Sequence, residues 1–177
     1  MKIKTILATL LLVVSANVFA QNEKDKEVMA DAEKAKMELK EMDGMNRFFD
    51  NSTGYVIFPN VGKGGLIVGG ASGNGVLYEN GMAKGMASLK KVDVGLQAGG
   101  QALTEIIFFE TEESLKDFKD GNYELSANAT AIALDKGIAA NANYKDGVAV
   151  FTKPKKGLMA DLSIGGQKFE YDEMQKK

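Results

Sequence analysis

Histidine, cysteine and tryptophan are all absent from this 177-residue sequence, and each absence closes off chemistry. Without them there is no thiolate or imidazole nucleophile, no imidazole general base and no set of the usual zinc ligands. Most familiar hydrolase mechanisms are excluded on that ground. A strong positive balance is lacking too, since 22 Lys and Arg stand against 24 Asp and Glu, so nothing in the net charge attracts nucleic acid. No long membrane-spanning run is found at the start either. The apolar stretch from Ile6 through Val14 is too short to cross roughly 30 Å of hydrocarbon comfortably.

What does stand at the start is a secretory pattern. Lys2 and Lys4 precede the apolar stretch, and Val18-Phe19-Ala20 places small residues at the two positions a signal peptidase inspects. Cleavage after Ala20 is therefore expected, with residues 1–20 as the signal peptide. No cysteine follows the cleavage site, so the product cannot be a diacylated lipoprotein, and in a Gram-negative cell the expected location is the periplasm. The remaining 157 residues carry 20 basic and 24 acidic side chains, a net charge of −4. That length is one domain, large enough to bury about 68 to 70 per cent of its unfolded surface without disulfides.

Gln21 to about Asp43 reads as a helix, rich in Lys, Glu and Ala, with Gly44 at the position of a C-terminal glycine. Val28, Ala32, Ala35, Leu39 and Met42 make one narrow apolar stripe. So thin a stripe does not stabilise a lone helix, which must pack on the rest of the domain, on a partner or on a membrane surface. A short second helix is expected around Met45 to Asp50, closed by Asn51-Ser52-Thr53-Gly54.

After Gly54 the period changes to two. Val92, Val94, Leu96 and Ala98 alternate with polar or glycine positions, as do Tyr123, Leu125, Ala127 and Ala129, and Leu158, Ala160, Leu162 and Ile164. Tyr55-Val56-Ile57-Phe58 and Ile106-Ile107-Phe108-Phe109 are continuous apolar runs, the signature of strands covered on both faces. Turn signals separate the strands at Glu79-Asn80-Gly81, Lys145-Asp146-Gly147 and Gly165-Gly166. One helix interrupts the series, from an N-cap at Thr111 to Gly121. The expected fold class is α+β: an antiparallel meander forming a strongly curved sheet or partly closed β-barrel, with N-terminal helices and one inserted helix. Twelve of the twenty glycines fall between Gly62 and Gly100, where they permit bends and bulges. Small inward residues, among them Gly85, Ala87 and Ala131, leave two alternatives: a closely packed helix or room for an apolar ligand.

The glycine-rich stretch fails the nucleotide templates. Lys63 lacks a following Ser or Thr, and Tyr78 stands where the third glycine of the dinucleotide fingerprint belongs. Gly70-Ala71-Ser72-Gly73 lacks the residue that separates serine from glycine in a hydrolase elbow, and Ser88-Leu89-Lys90-Lys91 has a serine-lysine spacing but sits on an alternating strand. Lys63, Lys84, Lys90, Lys91, Lys153, Lys155 and Lys156 lie at strand ends, in loops or on outward faces. They form either one positive surface or scattered solubilising charge. The N-terminal helix offers no basic face, with five lysines against eight acidic residues from Gln21 to Asp43.

From Gly54 to Tyr171 the sequence resembles the SYLF domain. Gly54-Tyr55-Val56-Ile57-Phe58-Pro59 with Val61-Gly62-Lys63-Gly64-Gly65 is similar to the family's opening strand and lysine-glycine turn. Gly69-Gly70-Ala71-Ser72-Gly73-Asn74-Gly75-Val76-Leu77 and Gly95-Leu96-Gln97-Ala98-Gly99-Gly100-Gln101 resemble its two glycine-rich blocks. Val148-Ala149-Val150-Phe151 and Gly157-Leu158-Met159-Ala160 resemble its closing strands. The resemblance implies a lipid-binding module, attributed in eukaryotic relatives to phosphoinositide membranes and in some fungal members also to actin. It implies no cofactor and no catalytic residues. The resulting expectation is a helical segment at 21–53 before a SYLF-like domain at 54–177, in a non-enzymatic periplasmic protein that binds phospholipid or a membrane surface. The alternative is a protein-interaction or structural module of the envelope, using the Met29, Met37, Met42 and Met45 region as an adaptable contact. Lys63, Lys153, Lys155, Lys156, Leu39 and Met42 are the candidate lipid contacts.

Overall fold

The computed structural model describes residues 23–64, 68–94, 101–121, 123–125, 131–134, 138–155 and 164–174. Helix α1 covers 23–40 and α2 covers Asn46–Asn51. They precede β1 (Gly54–Gly64), β2 (Val68–Glu79), β3 (Met82–Val94) and β4 (Gln101–Phe109). Helix α3 (Glu112–Lys119), β5 (Ile132–Ala133), a 3-10 turn at Ile138–Asn141, β6 (Val148–Pro154) and β7 (Lys168–Glu173) follow. The fold is α+β, as its sequence pattern predicts.

The seven strands form one sheet in the order β5-β6-β4-β1-β2-β3-β7. It departs from a plain meander in three ways: β4 returns to the free side of β1 rather than adding beside β3, β5 pairs with β6 in parallel, and β7 crosses to the far edge beside β3. The burial pattern explains the first. Val56, Phe58, Ile107 and Phe109 enter the core on one face, while Tyr55, Ile57, Ile106 and Phe108 enter the core on the other. Strands that are apolar on both sides belong in the middle of a sheet covered on both faces.

The sheet curls strongly. Gln167, just before β7, donates from Nε2 to Glu105 Oε2 of β4 at 3.2 Å, although four strand spacings would separate these positions by about 19 Å in a flat sheet. Similarly, Glu124 bridges to Lys168 at the β7 edge, and Ile132 pairs with Phe151 at the opposite edge. The eight residue steps from Glu124 to Ile132 reach at most about 29 Å, whereas the flat width is about 34 Å. Among the described residues β5 and β7 do not pair, so the sheet remains open.

The inner face is closed by α3, whose Leu115 and Phe118 join Phe109 and Phe169 in one core. Gly54 lies against Leu115 of α3, whereas Gly85 lies against Tyr171 of β7. The outer face is covered by Ala32, Ala35 and Leu39 of α1 and by Met45 and Phe48, so the thin apolar stripe packs on the chain's own sheet. Thr111 caps α3, its hydroxyl accepting from the Ser114 amide at 3.2 Å. Asn80 and Gly81 turn β2 into β3 at φ 53° and 75°. Of the strands expected from alternation, Leu96, Ala98, Ala127, Ala129, Leu158, Ala160 and Leu162 lie outside the described residues.

Candidate functional site

Where α1 crosses the sheet, its polar side meets the end of β6 and a bulge in β1. The register of β1 shifts between Phe58 and Val61, which turns Asn60 outward. Thr104 Oγ1 of β4 donates to the Pro59 carbonyl at 3.1 Å beside it. Asn60 Nδ2 donates to Asp31 at 2.7 Å, and Lys155 Nζ donates to the Asn60 side-chain oxygen. Lys153 Nζ donates to Glu38 at 2.9 Å. These contacts border an open groove of about 110 Å³, lined by Asp31, Lys34, Ala35 and Glu38 of α1 and by Pro59, Thr104 and Lys155.

The groove is rich in charge but balanced. The Lys153 hydrogen bond holds the Glu38 carboxyl below the usual carboxylate range, against the opposing effect of partial burial, and the charges of Lys34 and Lys155 add to it. Lysines can donate to the oxygens of a bound head group here. Among the described residues the hydrogen bonds at this groove join lysine, asparagine, carboxylate and threonine groups, with no paired nucleophile and base. The serine-lysine spacing at Ser88 and Lys91 is also dissolved, because three residues along a strand put the two on opposite faces. Ser88 instead donates to Glu170 at 3.3 Å on the outside, whereas Lys91 is buried at 8 % exposure.

The candidate lipid contacts divide accordingly. Lys153 and Lys155 come together at the groove. The Lys63 backbone pairs with Ala71 and Gln101, at the same end of the sheet, where the Lys155 amide donates to Ala102. The Lys63 side chain and all of Lys156 lie outside the described residues. Leu39 is 1 % exposed inside the outer core, and Met42 packs partly buried against it. Neither presents an open apolar surface while α1 is seated. Sequence reasoning missed Lys34, Glu38 and Asn60. The first two stand four apart on the polar side of α1, a spacing that puts them together, but the bulge that brings Asn60 to them has no local signal.

A family model described as Ysc84, Las17-binding protein actin regulator, matches residues 90–176. Over these residues the chain is similar to the SYLF family, in line with the resemblance carried by its glycine-rich blocks. Beta cell expansion factor A of Aeromonas veronii is similar, 28% identical over 126 residues, covering 70% of this chain and 48% of that protein. The chain thus spans about half the length of that relative. The sheet begins ahead of the matched region, since β1 and β2 are hydrogen-bonded into the same sheet as β4, β6 and β7. The family's description is one of protein interaction rather than catalysis.

Proposed function

We propose that this SYLF protein is exported to the periplasm after cleavage at Ala20 and acts there without catalysis as a lipid-binding, envelope-associated protein. The observation that carries the reading is the groove beside α1, where Lys34, Lys153 and Lys155 gather around Glu38, next to the helix whose apolar stripe covers the outer sheet face. A phospholipid head group would be oriented by these lysines, with affinity supplied mainly by apolar contact. Because Lys153 is already paired and the exported chain carries a net −4, attraction by charge alone is weak, and salt should reduce binding only modestly. The test is native mass spectrometry of protein expressed with its leader, followed by extraction of bound lipid. Phospholipid on a chain beginning at Gln21 supports the proposal. A lipid-free chain carrying a bound envelope protein would instead favour the interaction reading, which the family's Las17-binding description makes the second candidate.

A further inference from the structure

Among the described residues both faces of the sheet are covered, and the large apolar side chains left in solvent are Met37 and Met82. Apolar contact between these residues and a lipid therefore requires a face to be uncovered, and α1 is the cover held least firmly. The helix lies across a contiguous patch of the outer face. Tyr55 of β1 pairs with Tyr78 and Phe108, and Ile57 pairs with Val76 and Ile106; all six belong to the outer core and none exceeds 4 % exposure. Glu33 of α1 acts on the Tyr55 and Tyr78 hydroxyls at one side of this patch, while Ala35 shares the groove with Pro59 and Thr104 at the other. Against these rings and branched chains α1 sets Ala32, Ala35 and Leu39 as its buried residues, with Val28 and Met29 partly buried beside them. An alanine offers a single methyl, so two of the three buried contacts contribute little. By contrast, Phe48 anchors α2 on three rings, those of Phe108, Tyr144 and Phe151, at 5.4, 5.3 and 4.8 Å. Between the helices Gly44 stands at φ 82°, where an added Cβ would meet the Ala140 backbone at 2.5 Å, and this close seat fixes a pivot about which α1 can swing while α2 stays.

The polar ties of α1 to the sheet are exposed: Asp31 accepts from Asn60 at 2.7 Å and Glu38 accepts from Lys153 at 2.9 Å. Such contacts exchange readily with water and contribute little to holding two elements together. They also decide the charge of the groove. The two carboxylates lining it, Asp31 and Glu38, both belong to α1, whereas Lys155 and the neighbouring Lys153 belong to the sheet side. With α1 seated, Glu38 occupies Lys153, and Asp31 holds the Asn60 side chain to which Lys155 donates. With α1 lifted, both carboxylates leave together with Lys34, and Lys153 and Lys155 stand free of them beside an uncovered patch of rings and branched chains. An exposed apolar patch with a polar rim is the surface that a membrane binds.

We infer that α1 is an autoinhibitory strap, which in its seated position hides the apolar patch and the orienting lysines at once and must swing out about 41–45 before the protein engages a lipid surface. The inference rests on the lipid reading above, and its test separates the two. The sequence has no cysteine, so Asp31→Cys/Asn60→Cys carries only two thiols, at positions whose side chains touch at 2.7 Å in the parent. A bifunctional methanethiosulfonate reagent ties α1 to the sheet through them, dithiothreitol releases the tie, and intact mass counts the linked fraction. Flotation on phosphatidylcholine vesicles should fall about tenfold or more on linking, because the competent state is removed, and return on release. Glu38→Gln, which takes away the latch charge and leaves Lys153 in place, should raise flotation severalfold, whereas Glu27→Gln, the same charge change at an exposed position of α1, should leave it as in the parent. Thermal unfolding shows that each protein is folded. Linked protein that floats as well as released protein, or Glu38→Gln no stronger than Glu27→Gln, would overturn the strap while leaving lipid binding in place. A parent protein that does not float would overturn the lipid reading, and the strap with it.

Discussion

Leu39 offers a quantitative test of what α1 does. Its side chain is 1 % exposed and shares the outer core with Ala32, Ala35, Met45 and Phe48. Truncating a buried leucine to alanine removes transfer free energy and leaves a cavity, costing about 2 to 5 kcal/mol out of a total of about 5 to 15 kcal/mol for a domain. With a urea dependence of about 2 kcal/mol per molar, Leu39→Ala should lower the unfolding midpoint by about 1 to 2.5 M. Leu39→Asp is more severe, because a carboxylate without a partner in that core costs several kcal/mol, enough to unseat α1 or unfold the chain. Met37, on the same helix and 60 % exposed, is the internal control, with Met37→Ala expected within about 0.5 kcal/mol of the parent. Far-UV circular dichroism in urea measures all three. A Leu39→Ala midpoint equal to that of Met37→Ala would refute the packing of α1 on the sheet and return Leu39 to the surface.

Three further outcomes follow from particular side chains. Burial raises all five tyrosines, Tyr55 and Tyr123 to about 12 and Tyr78, Tyr144 and Tyr171 in the same direction. The folded state therefore holds protons that the unfolded state releases near pH 10. Stability should be complete below about pH 10 and fall as pH rises toward 12, with tyrosinate absorbance appearing together with unfolding; a noncooperative rise near 10 would contradict that. Thr152 is 0 % exposed, and its hydroxyl has no partner among the described residues, so Thr152→Val should leave stability unchanged or raise it by about 1 kcal/mol, whereas a loss of several kcal/mol in urea would show that the hydroxyl is satisfied. Thr111→Ala removes the α3 cap and should cost about 1 kcal/mol in the same assay, a null result arguing against the capping box.

Local structure was legible where a few neighbouring residues decide it. The period of Ala32, Ala35 and Leu39 located the buried side of α1, Thr111 located a cap, and Asn80-Gly81 and Asp146-Gly147 located turns that need positive φ. The doubly apolar runs at Tyr55 and Ile106 correctly marked the central strands. Strand order was not legible, because alternation says which face a residue takes but not which strand lies beside it. Gly85 illustrates the limit. Its lack of a side chain reads as general permission to bend, yet an added Cβ would stand 2.4 Å from both the Tyr171 ring and the Asp172 carbonyl, a contact with a strand more than eighty residues later. The lysine groove was hidden for the same reason, since it joins residues about a hundred positions apart.

The central claim is that this protein binds lipid largely through apolar contact, with Lys153 and Lys155 orienting it. Liposome flotation of the protein at low and high salt, on zwitterionic and on anionic bacterial phospholipids, measures this directly. Binding to both vesicle types that weakens only modestly at high salt, with the double variant Lys153→Met/Lys155→Met reducing rather than abolishing it, is the expected result. No binding to either vesicle type at either salt concentration, from a chain that also carries no lipid out of the cell, would contradict the claim.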